Sequence, residues 1–335
     1  MRDRRRKAAV AATLVALLGT GAFAAASVKA PEDDQGPPVW TVPAVADGAR
    51  ALLAGGTLVV RGVAAQAPRA DGPLYEIASD GRIRRAGRLS CKRVAVSSNG
   101  RGLCFRVNPI GDGYEAVVFD ARYREVRRFA VEGIPDRARL SPSGRYAAFT
   151  SFDPAGAIQY FETPQGFSTF TRIIDMRTGE PVVRLEDVEV RRRGRIVGRG
   201  ETDLWGVTFR DDDTYYATLA TGSHHYLIRG QIGAGRAVVL RDGVECPALS
   251  PDGARIAYKS RIDGTNSWRL HVYDLASHTD VPLSETRSID DQPEWIGNDT
   301  VAYSDDHSIY IVPADGSEAP RRLVHGATSP DYSRP

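Results

Sequence analysis

Few residues of this sequence have the types and spacing that catalysis requires. No G-x-S-x-G motif is present to place a serine nucleophile at a strand–helix turn. His224 and His225 are adjacent, so on a strand their rings would point to opposite faces and would not share one metal ion. The acidic run Asp211–Asp213 lacks the D-x-D-x-D-G spacing of a calcium loop and is more typical of a turn. The sequence therefore predicts no catalytic residue, no cofactor and no metal site.

Two further segments have compositions found in ligand sites. Gly230–Gly235 is rich in glycine, but it does not match a nucleotide-binding fingerprint and no helical pattern follows it. A basic run precedes it in the chain, and it favours a solvated hairpin, with contact to anionic lipid or an acidic partner as the alternative. Its arginines are Arg191, Arg192, Arg193, Arg195 and Arg199.

The charge balance argues against nucleic acid as a partner. The 335 residues include 44 basic and 42 acidic side chains, which give a net charge of +2. Nucleic-acid-binding domains carry a marked basic excess. The length is sufficient for a sizeable core in one all-β domain.

The N-terminal segment has the composition of an export signal. A basic start (MRDRRRK) precedes a run without charged residues from Ala8 to Val28, and Ala22–Ala24 forms an A-x-A cleavage site. The run has 21 residues, which is also enough to span a bilayer. Residues 1–28 are therefore interpreted as a signal peptide or an uncleaved membrane anchor, and residues 29–44 as a linker. We expect an exported, extracytoplasmic protein, either secreted or anchored by residues 8–28.

The three cysteines allow one disulfide. Cys91 and Cys104 flank a polar turn, and an oxidising compartment would favour a bond between them. A regular hairpin would place Cys104 opposite a residue near Ala95, four positions from Cys91, so the bond requires the strand entry to curl back. Whether the bond forms stays open at this point. Cys246 is predicted to be a buried free thiol.

An internal repeat is the strongest structural signal. Six segments share a short apolar strand, a tight polar turn and a second apolar strand. A single copy cannot bury its own apolar face, so the copies must stack around an axis. The segments are residues 50–60, 93–105, 137–149, 205–218, 246–258 and 292–303.

The spacing of the repeat indicates a propeller. Successive turns are separated by 43, 44, 69, 40 and 46 residues, close in four cases to the 40–45 residues of a four-stranded blade. The sequence thus predicts an all-β, six-bladed β-propeller with four-stranded blades over residues 45–335. The long interval contains insertions, which we interpret as a loop at residues 153–170 and an extended hairpin at residues 186–203.

Three of the repeats resemble the TolB-type propeller family. They read LSPSGRYAAFT, LSPDGARIAYKS and DDQPEWIGNDTVAYSDD. More narrowly, CKRVAVSSNGRGLC and WRLHVYDLASH look like TolB-like exported translocation proteins of actinobacteria. The resemblance implies a propeller that binds partners in the cell envelope. The α/β domain that precedes the TolB propeller is not expected here, since about 20 residues separate the signal from the first repeat, so the family's partner does not transfer.

A propeller commonly binds ligands at the mouth of its central channel, which is lined by the residues just before each inner strand. Mixed charges and a tryptophan at these positions suit a peptide or a polar ligand, and the alternative is that they order loops and water. Trp268 and Trp295 are more consistent with blade core. The predicted mouth residues are Arg93, Asp136, Arg137, Asp203, Trp205, Glu245, Asp290, Asp291 and Gln292.

Together these features favour a non-catalytic propeller that binds a protein, peptide or polar ligand at the cell envelope. The alternative is a propeller hydrolase or lyase with a metal ion in its channel. A membrane-anchored sensor ectodomain is a third hypothesis and requires the N-terminal segment to stay uncleaved.

Overall fold

The computed structural model describes residues 39–46, 53, 55–64, 67, 70–153, 168–198 and 202–334. The predicted signal or anchor at residues 1–28 and most of the predicted linker lie outside these residues. Within the described ranges, no helix has both the length and the apolar composition needed to cross a membrane.

The described chain consists almost entirely of short β-strands. One 3-10 helix, Leu185–Asp187, interrupts them. In chain order the strands are β1 (Ala44–Val45), β2 (Thr57–Gly62), β3 (Gly72–Ala78), β4 (Ile83–Cys91), β5 (Arg93–Val96), β6 (Gly102–Val107), β7 (Tyr114–Phe119), β8 (Glu125–Val131), β9 (Ile134–Leu140), β10 (Tyr146–Phe152), β11 (Thr169–Asp175), β12 (Pro181–Arg184), β13 (Glu189–Arg192), β14 (Arg195–Ile196), β15 (Asp203–Phe209), β16 (Thr214–Thr221), β17 (His224–Gln231), β18 (Arg236–Asp242), β19 (Glu245–Leu249), β20 (Arg255–Arg261), β21 (Trp268–Asp274), β22 (Asp280–Pro282), β23 (Glu294–Ile296), β24 (Thr300–Asp305), β25 (Ser308–Pro313), β26 (Arg321–His325) and β27 (Ala327–Ser333).

These strands form six sheets, which are the blades of a propeller, and the all-β prediction with four-stranded blades is confirmed. Blade 1 has the order β27-β2-β3-β4, blade 2 contains β5 to β8, and blade 3 contains β9 to β12. Blade 4 contains β15 to β18, blade 5 contains β19 to β22, and blade 6 contains β23 to β26. Blades 4 and 6 each carry additional strands at the outer edge.

The hydrophobic core lies between neighbouring blades, because each sheet buries apolar side chains on both faces. Tyr146 and Ile173 of blade 3 pack against Leu204 and Tyr215 of blade 4. Complete burial of such side chains stabilises the fold by about 1.5–3 kcal/mol each. The buried Tyr258 keeps its hydroxyl hydrogen-bonded by donating to a carboxylate, which avoids an unpaired polar group.

The prediction for the first repeat was wrong about its inner strand. The inner position beside β2 is occupied by the C-terminal strand β27, with Leu58 paired to Tyr332. The Tyr332 hydroxyl also donates to the carbonyl of Leu53 at 2.6 Å. The sequence of β27, ATSPDYS, is mostly polar, so its strand character is weak as a pattern and depends on the neighbour that it pairs with.

The hairpin insertion of the long interval lies beside blade 4. The hairpin predicted at residues 186–203 is present as β13 and β14, and β13 runs parallel to β18 at the outer edge of that blade. Residues 154–167 of the predicted loop lie outside the described residues. At the other extended blade, β1 pairs with β26 of blade 6.

A disulfide joins Cys91 to Cys104 with a Cα–Cα distance of 5.4 Å. Cys104 pairs with Val94 rather than with a residue near Ala95, so the register differs by one from the regular hairpin that we considered. Cys91 itself belongs to the outer strand of blade 1, where it pairs with Gly72. The bond therefore connects two blades. Cys246 is a buried free cysteine.

Candidate ligand-binding cavity at the channel mouth

A cavity of about 850 Å³ lies where the inner strands of the propeller begin. Such a volume lies within the range of about 300–1,000 Å³ that is typical of small-ligand sites. Seven of the nine predicted mouth residues line it. They are Arg93, Asp136, Arg137, Trp205, Glu245, Asp290 and Asp291.

Asp203 and Gln292 do not line the cavity. The Asp203 carboxylate accepts hydrogen bonds from the backbone N–H and the hydroxyl of Thr169, at 2.9 and 3.3 Å. The Gln292 amide donates to the carbonyls of Val207 and Pro247 at 3.3 and 3.0 Å, behind the wall. Both side chains connect neighbouring strands. Their position in the sequence, close to the start of an inner strand, does not distinguish this role from a place in the cavity wall.

A buried ion pair of Arg93 and Asp291 forms part of the wall, and we call it the floor of the cavity. Both terminal guanidinium nitrogens of Arg93 lie 3.3 Å from Oδ1 of Asp291, and the backbone N–H groups of Ser304 and Gln292 donate to the same carboxylate at 3.0 and 2.9 Å. Burial opposes ionisation of Asp291, but Arg93, Arg137 and these backbone donors outweigh it and hold its pKa below the usual value.

Arg137 and Lys259 complete the charged wall. Arg137 donates to Asp136 at 2.6 Å and reaches Asp290 at 3.4 Å. Lys259 is 4% exposed and pairs with Asp290 and, at 3.8 Å, with Glu245. Burial alone would lower the pKa of Lys259, but its anionic neighbours raise it above the usual value.

Two tryptophans contribute to the aromatic surface of the cavity. Trp268 donates its indole N–H to Glu245 at 3.1 Å, and Lys259 and Arg261 lie over its ring at 4.3 and 5.2 Å from the centroid. Its assignment to blade core was therefore incomplete, since the ring is buried but contributes to the cavity wall. Trp205 contacts the ring of His225 edge-on at 5.9 Å between centroids.

A close contact between inner strands fixes the position of Trp205. The next residue, Gly206, has a φ of +65°, and a Cβ atom there would lie 2.7 Å from the Cα atom of Cys246. Glycine therefore lets the inner strands of blades 4 and 5 approach closely at this level.

Sequence reasoning missed the part of the wall that does not precede an inner strand. Lys259 and Arg261 lie at the end of β20, which returns antiparallel to the inner strand and so reaches the same end of the blade. Their two-residue spacing places both on one face and was the signal available in the sequence. The additional lining residues are Lys92, Tyr114, Ile134, Phe152, Cys246, Lys259, Arg261, Trp268 and Ser304.

The remaining candidates lie elsewhere. His224 pairs with Asp242 at 2.6 Å on the outer part of blade 4. Asp211 closes a turn by accepting the backbone N–H groups of Asp213 and Thr214. Trp295 belongs to the core between blades 5 and 6. Across the described ranges, no group of three or more His, Cys, Asp or Glu side chains is arranged to hold a metal ion.

A smaller cavity of about 100 Å³ lies where the inner strands end. Arg139 pairs there with Glu294 at 2.9 Å and lies 3.7 Å from Asp331. Burial raises the pKa of both carboxyl groups, and the charge of Glu294 raises that of Asp331 further. This end of the channel therefore binds protons more readily than exposed carboxylates do.

Comparison with known proteins supports the fold. No family model matches the sequence. No curated protein matches it either. Among solved structures, TolB from Acinetobacter baumannii superposes with a TM-score of 0.57 and 16% identity over 83% of this chain, which spans 66% of that protein. A putative TolB from Agrobacterium tumefaciens gives a TM-score of 0.50 and 13% identity, over 82% of this chain and 91% of that one.

A chain of the nidogen/laminin complex gives a TM-score of 0.54 with 9% identity, over 83% of this chain and 99% of that one. Identities this low establish the architecture alone. The six radial sheets and these similarities show that the chain has a TolB-like six-bladed β-propeller fold.

Proposed function

We propose that the channel-mouth cavity binds a protein segment, a peptide or a polar small ligand and performs no chemistry on it. The observation that carries this proposal is the combination of a volume of about 850 Å³ with two tryptophans and charges of both signs in one wall. A peptide presents amide groups, apolar side chains and charges of both signs, so such a wall complements it.

The charges differ in how readily they could exchange partners. The side chains of Asp136, Asp290 and Arg261 are 32%, 51% and 36% exposed, so a ligand can reach them. Arg93 and Asp291 are 10% and 8% exposed and fix the floor. A rigid floor with accessible rim charges gives a ligand orientation without a large reorganisation of the protein.

The enzymatic alternative requires the same carboxylates to coordinate a metal ion. A hard cation would need several of them at once. In the cavity Asp136, Asp290 and Asp291 already pair with arginine or lysine, so a metal ion would have to displace those partners. A stoichiometric divalent ion that raises the melting temperature of the purified protein would contradict the binding proposal and support the alternative.

The proposal places the protein outside the cytoplasm, at the cell envelope, on the strength of the basic start and the uncharged run Ala8–Val28. N-terminal sequencing of the exported protein tests this. A new terminus at Ala25 indicates a secreted form, whereas an intact Met1 in the membrane fraction indicates an anchored form.

Site-specific crosslinking tests the binding surface. A photoreactive side chain at Tyr114, in the cavity wall, is compared with one at Val126, which is 60% exposed on the outer strand of blade 2. We expect envelope partners to crosslink at position 114 only, and Asp290→Asn in the same chain to reduce the yield. Asp299→Asn, at a side chain 94% exposed away from the cavity, is the matched control. Equal crosslinking at both positions would show that the mouth is not the binding surface.

A further inference from the structure

A second sizeable cavity, of about 420 Å³, lies on one face of blade 4 and is lined by four arginines. They are Arg191, Arg210, Arg229 and Arg236. We call this cavity the blade-4 arginine groove. Its lining residues all differ from those of the channel mouth. Its volume also lies within the range of about 300–1,000 Å³ found for small-ligand sites.

Strand register brings three of the arginines to one face. Arg229 of β17 pairs with Val238 of β18, and Val238 pairs in turn with Arg191 of β13. Paired residues project from the same face of a sheet, and so do residues two apart on one strand, which adds Arg236. Val238 between them is 42% exposed. The hairpin insertion thus supplies one wall of the groove.

Three of these arginines have no acidic partner. Arg210, Arg229 and Arg236 form no ion pair and no side-chain hydrogen bond with any residue that the structure describes. All three side chains are exposed. Elsewhere in the propeller, arginines such as Arg137 and Arg287 bind carboxylates directly. Like charges on neighbouring strands repel one another, so the arrangement by itself costs stability.

Carboxylates only partly compensate this charge. Arg191 binds Glu189 at 2.6 Å. Asp213, near the rim, accepts a hydrogen bond from Gln231 at 3.0 Å. Asp211, in the same turn, accepts a hydrogen bond from the backbone N–H of the lining residue Thr214 at 2.7 Å. Four guanidinium groups therefore lie beside three carboxylates, of which only Glu189 is ion-paired with an arginine of the groove, so a net positive charge remains.

We propose that the blade-4 arginine groove binds a ligand carrying two or more phosphate groups. Guanidinium groups donate in a planar fork that matches phosphate oxygens in pairs, and they lose little hydration on binding. Arginines on adjacent strands can contact separate phosphates, which favours a multiply charged ligand over a single carboxylate. This site is independent of the channel mouth and does not rest on the function proposed for it.

Calorimetric titration of the full chain with tripolyphosphate tests the proposal. We expect saturable 1:1 binding that weakens as salt is added, because the contacts are exposed and screened. The double variant Arg229→Gln/Arg236→Gln removes two unpaired arginines from the groove and should bind at least tenfold more weakly. Both positions are exposed, so its melting temperature should stay close to that of the wild type.

The matched control is Arg321→Gln/Arg322→Gln, which removes the same charge from exposed positions on the outer strand of blade 6. We expect the control to keep its affinity within twofold. Equal weakening of both variants would attribute binding to net charge and overturn the site, and so would an absence of binding to the wild type.

Vesicles identify the source of the phosphate. Flotation with vesicles that contain cardiolipin, a lipid with two phosphate groups, is compared with flotation with phosphatidylcholine vesicles, using the same two variants. Tripolyphosphate binding without vesicle binding assigns a soluble ligand. Binding to cardiolipin vesicles that is lost in the groove variant assigns a lipid headgroup. Binding to neither probe would overturn the proposal.

Discussion

Asp291 and Arg93 face each other in the floor of the channel mouth, where their side chains are 8% and 10% exposed. Two charges held out of water depend on one another, because each compensates the desolvation of its partner. Removal of either charge leaves the other buried without its closest partner of opposite charge. The pair therefore contributes to stability as a unit rather than as two separate residues.

Asp291→Leu should destabilise the fold by about 3–5 kcal/mol, the usual cost of breaking a buried ion pair. Chemical denaturation monitored by circular dichroism measures the change. The double variant Arg93→Met/Asp291→Leu should recover most of the lost stability, because neither charge of this pair then remains buried without its partner. A double variant as unstable as the sum of the single variants would show that the pair is not coupled.

Asp331 at the other end of the channel should make stability depend on pH in the opposite sense to Asp291. Its pKa is raised in the fold, first by burial and then by Glu294, so the folded state holds the proton more tightly than the unfolded state. The contribution of Asp331 to the free energy of unfolding is greatest below the pKa that this group has in the unfolded chain. It falls as the pH rises towards the pKa that the group has in the folded protein. Each unit of elevation corresponds to about 1.4 kcal/mol.

Asp331→Asn keeps an acceptor for the backbone N–H of Val96 and removes the titrating group. We expect this variant to be more stable than the wild type at pH 8, and we expect the difference to shrink as the pH falls towards the unfolded pKa of about 4. Thermal melts over this pH interval give the measurement. A variant that is less stable than the wild type at pH 8 would contradict the assignment.

Among the elements, β4 of blade 1 is linked to β6 of blade 2 by the Cys91–Cys104 disulfide. Replacing both cysteines with serine should lower the unfolding free energy by about 3 kcal/mol, the expected value for a loop of this size. A reducing agent should shift the melting temperature of the wild type but not that of the variant. Cys246→Ala, at the free cysteine, is the control and should keep its sensitivity to reduction.

A strand could be predicted when its own residues carry the pattern, and could not when it forms only beside a distant segment of the chain. Strand–turn–strand repeats such as residues 246–258 carry their own alternation and turn residues, so their strands were predictable. The inner strand β27 was not, because its polar sequence becomes a strand only beside β2. The repeat predicted the general position of the channel mouth. The presence of Lys259 in the cavity wall depends on the length of β20, which determines whether this residue reaches the mouth.

The arginine run shows a second limit of pattern reasoning. Arg191 and Arg192 are adjacent and look equivalent in the sequence. In the sheet they point to opposite faces, because side chains alternate along a strand. Arg192 stacks on Tyr226 and donates to its hydroxyl at 3.1 Å, whereas Arg191 lines the blade-4 arginine groove. The sequence alone predicted a basic segment. It did not predict that one arginine packs on a tyrosine while its neighbour lines a cavity.

At the scale of the whole molecule, blade 1 closes the ring by combining β27 with β2 to β4. Deletion of residues 327–335 should expose the edge of β2 and the side chains that β27 covers, so we expect a truncated chain that melts early or aggregates. Thermal unfolding and size-exclusion chromatography measure this. A shorter deletion, of Thr41–Ala44, removes part of the outermost strand of blade 6 and should have a smaller effect.

The pairing of β2 with β27 joins residues such as Val59 and Asp331 that are more than 250 positions apart in the sequence. Contacts between such distant segments form late in folding, since a long loop must close before they stabilise the chain. A nascent chain still attached to the ribosome therefore cannot complete its ring until β27 has emerged. During that interval blade 1 lacks its innermost strand, and the edge of β2 stays unpaired.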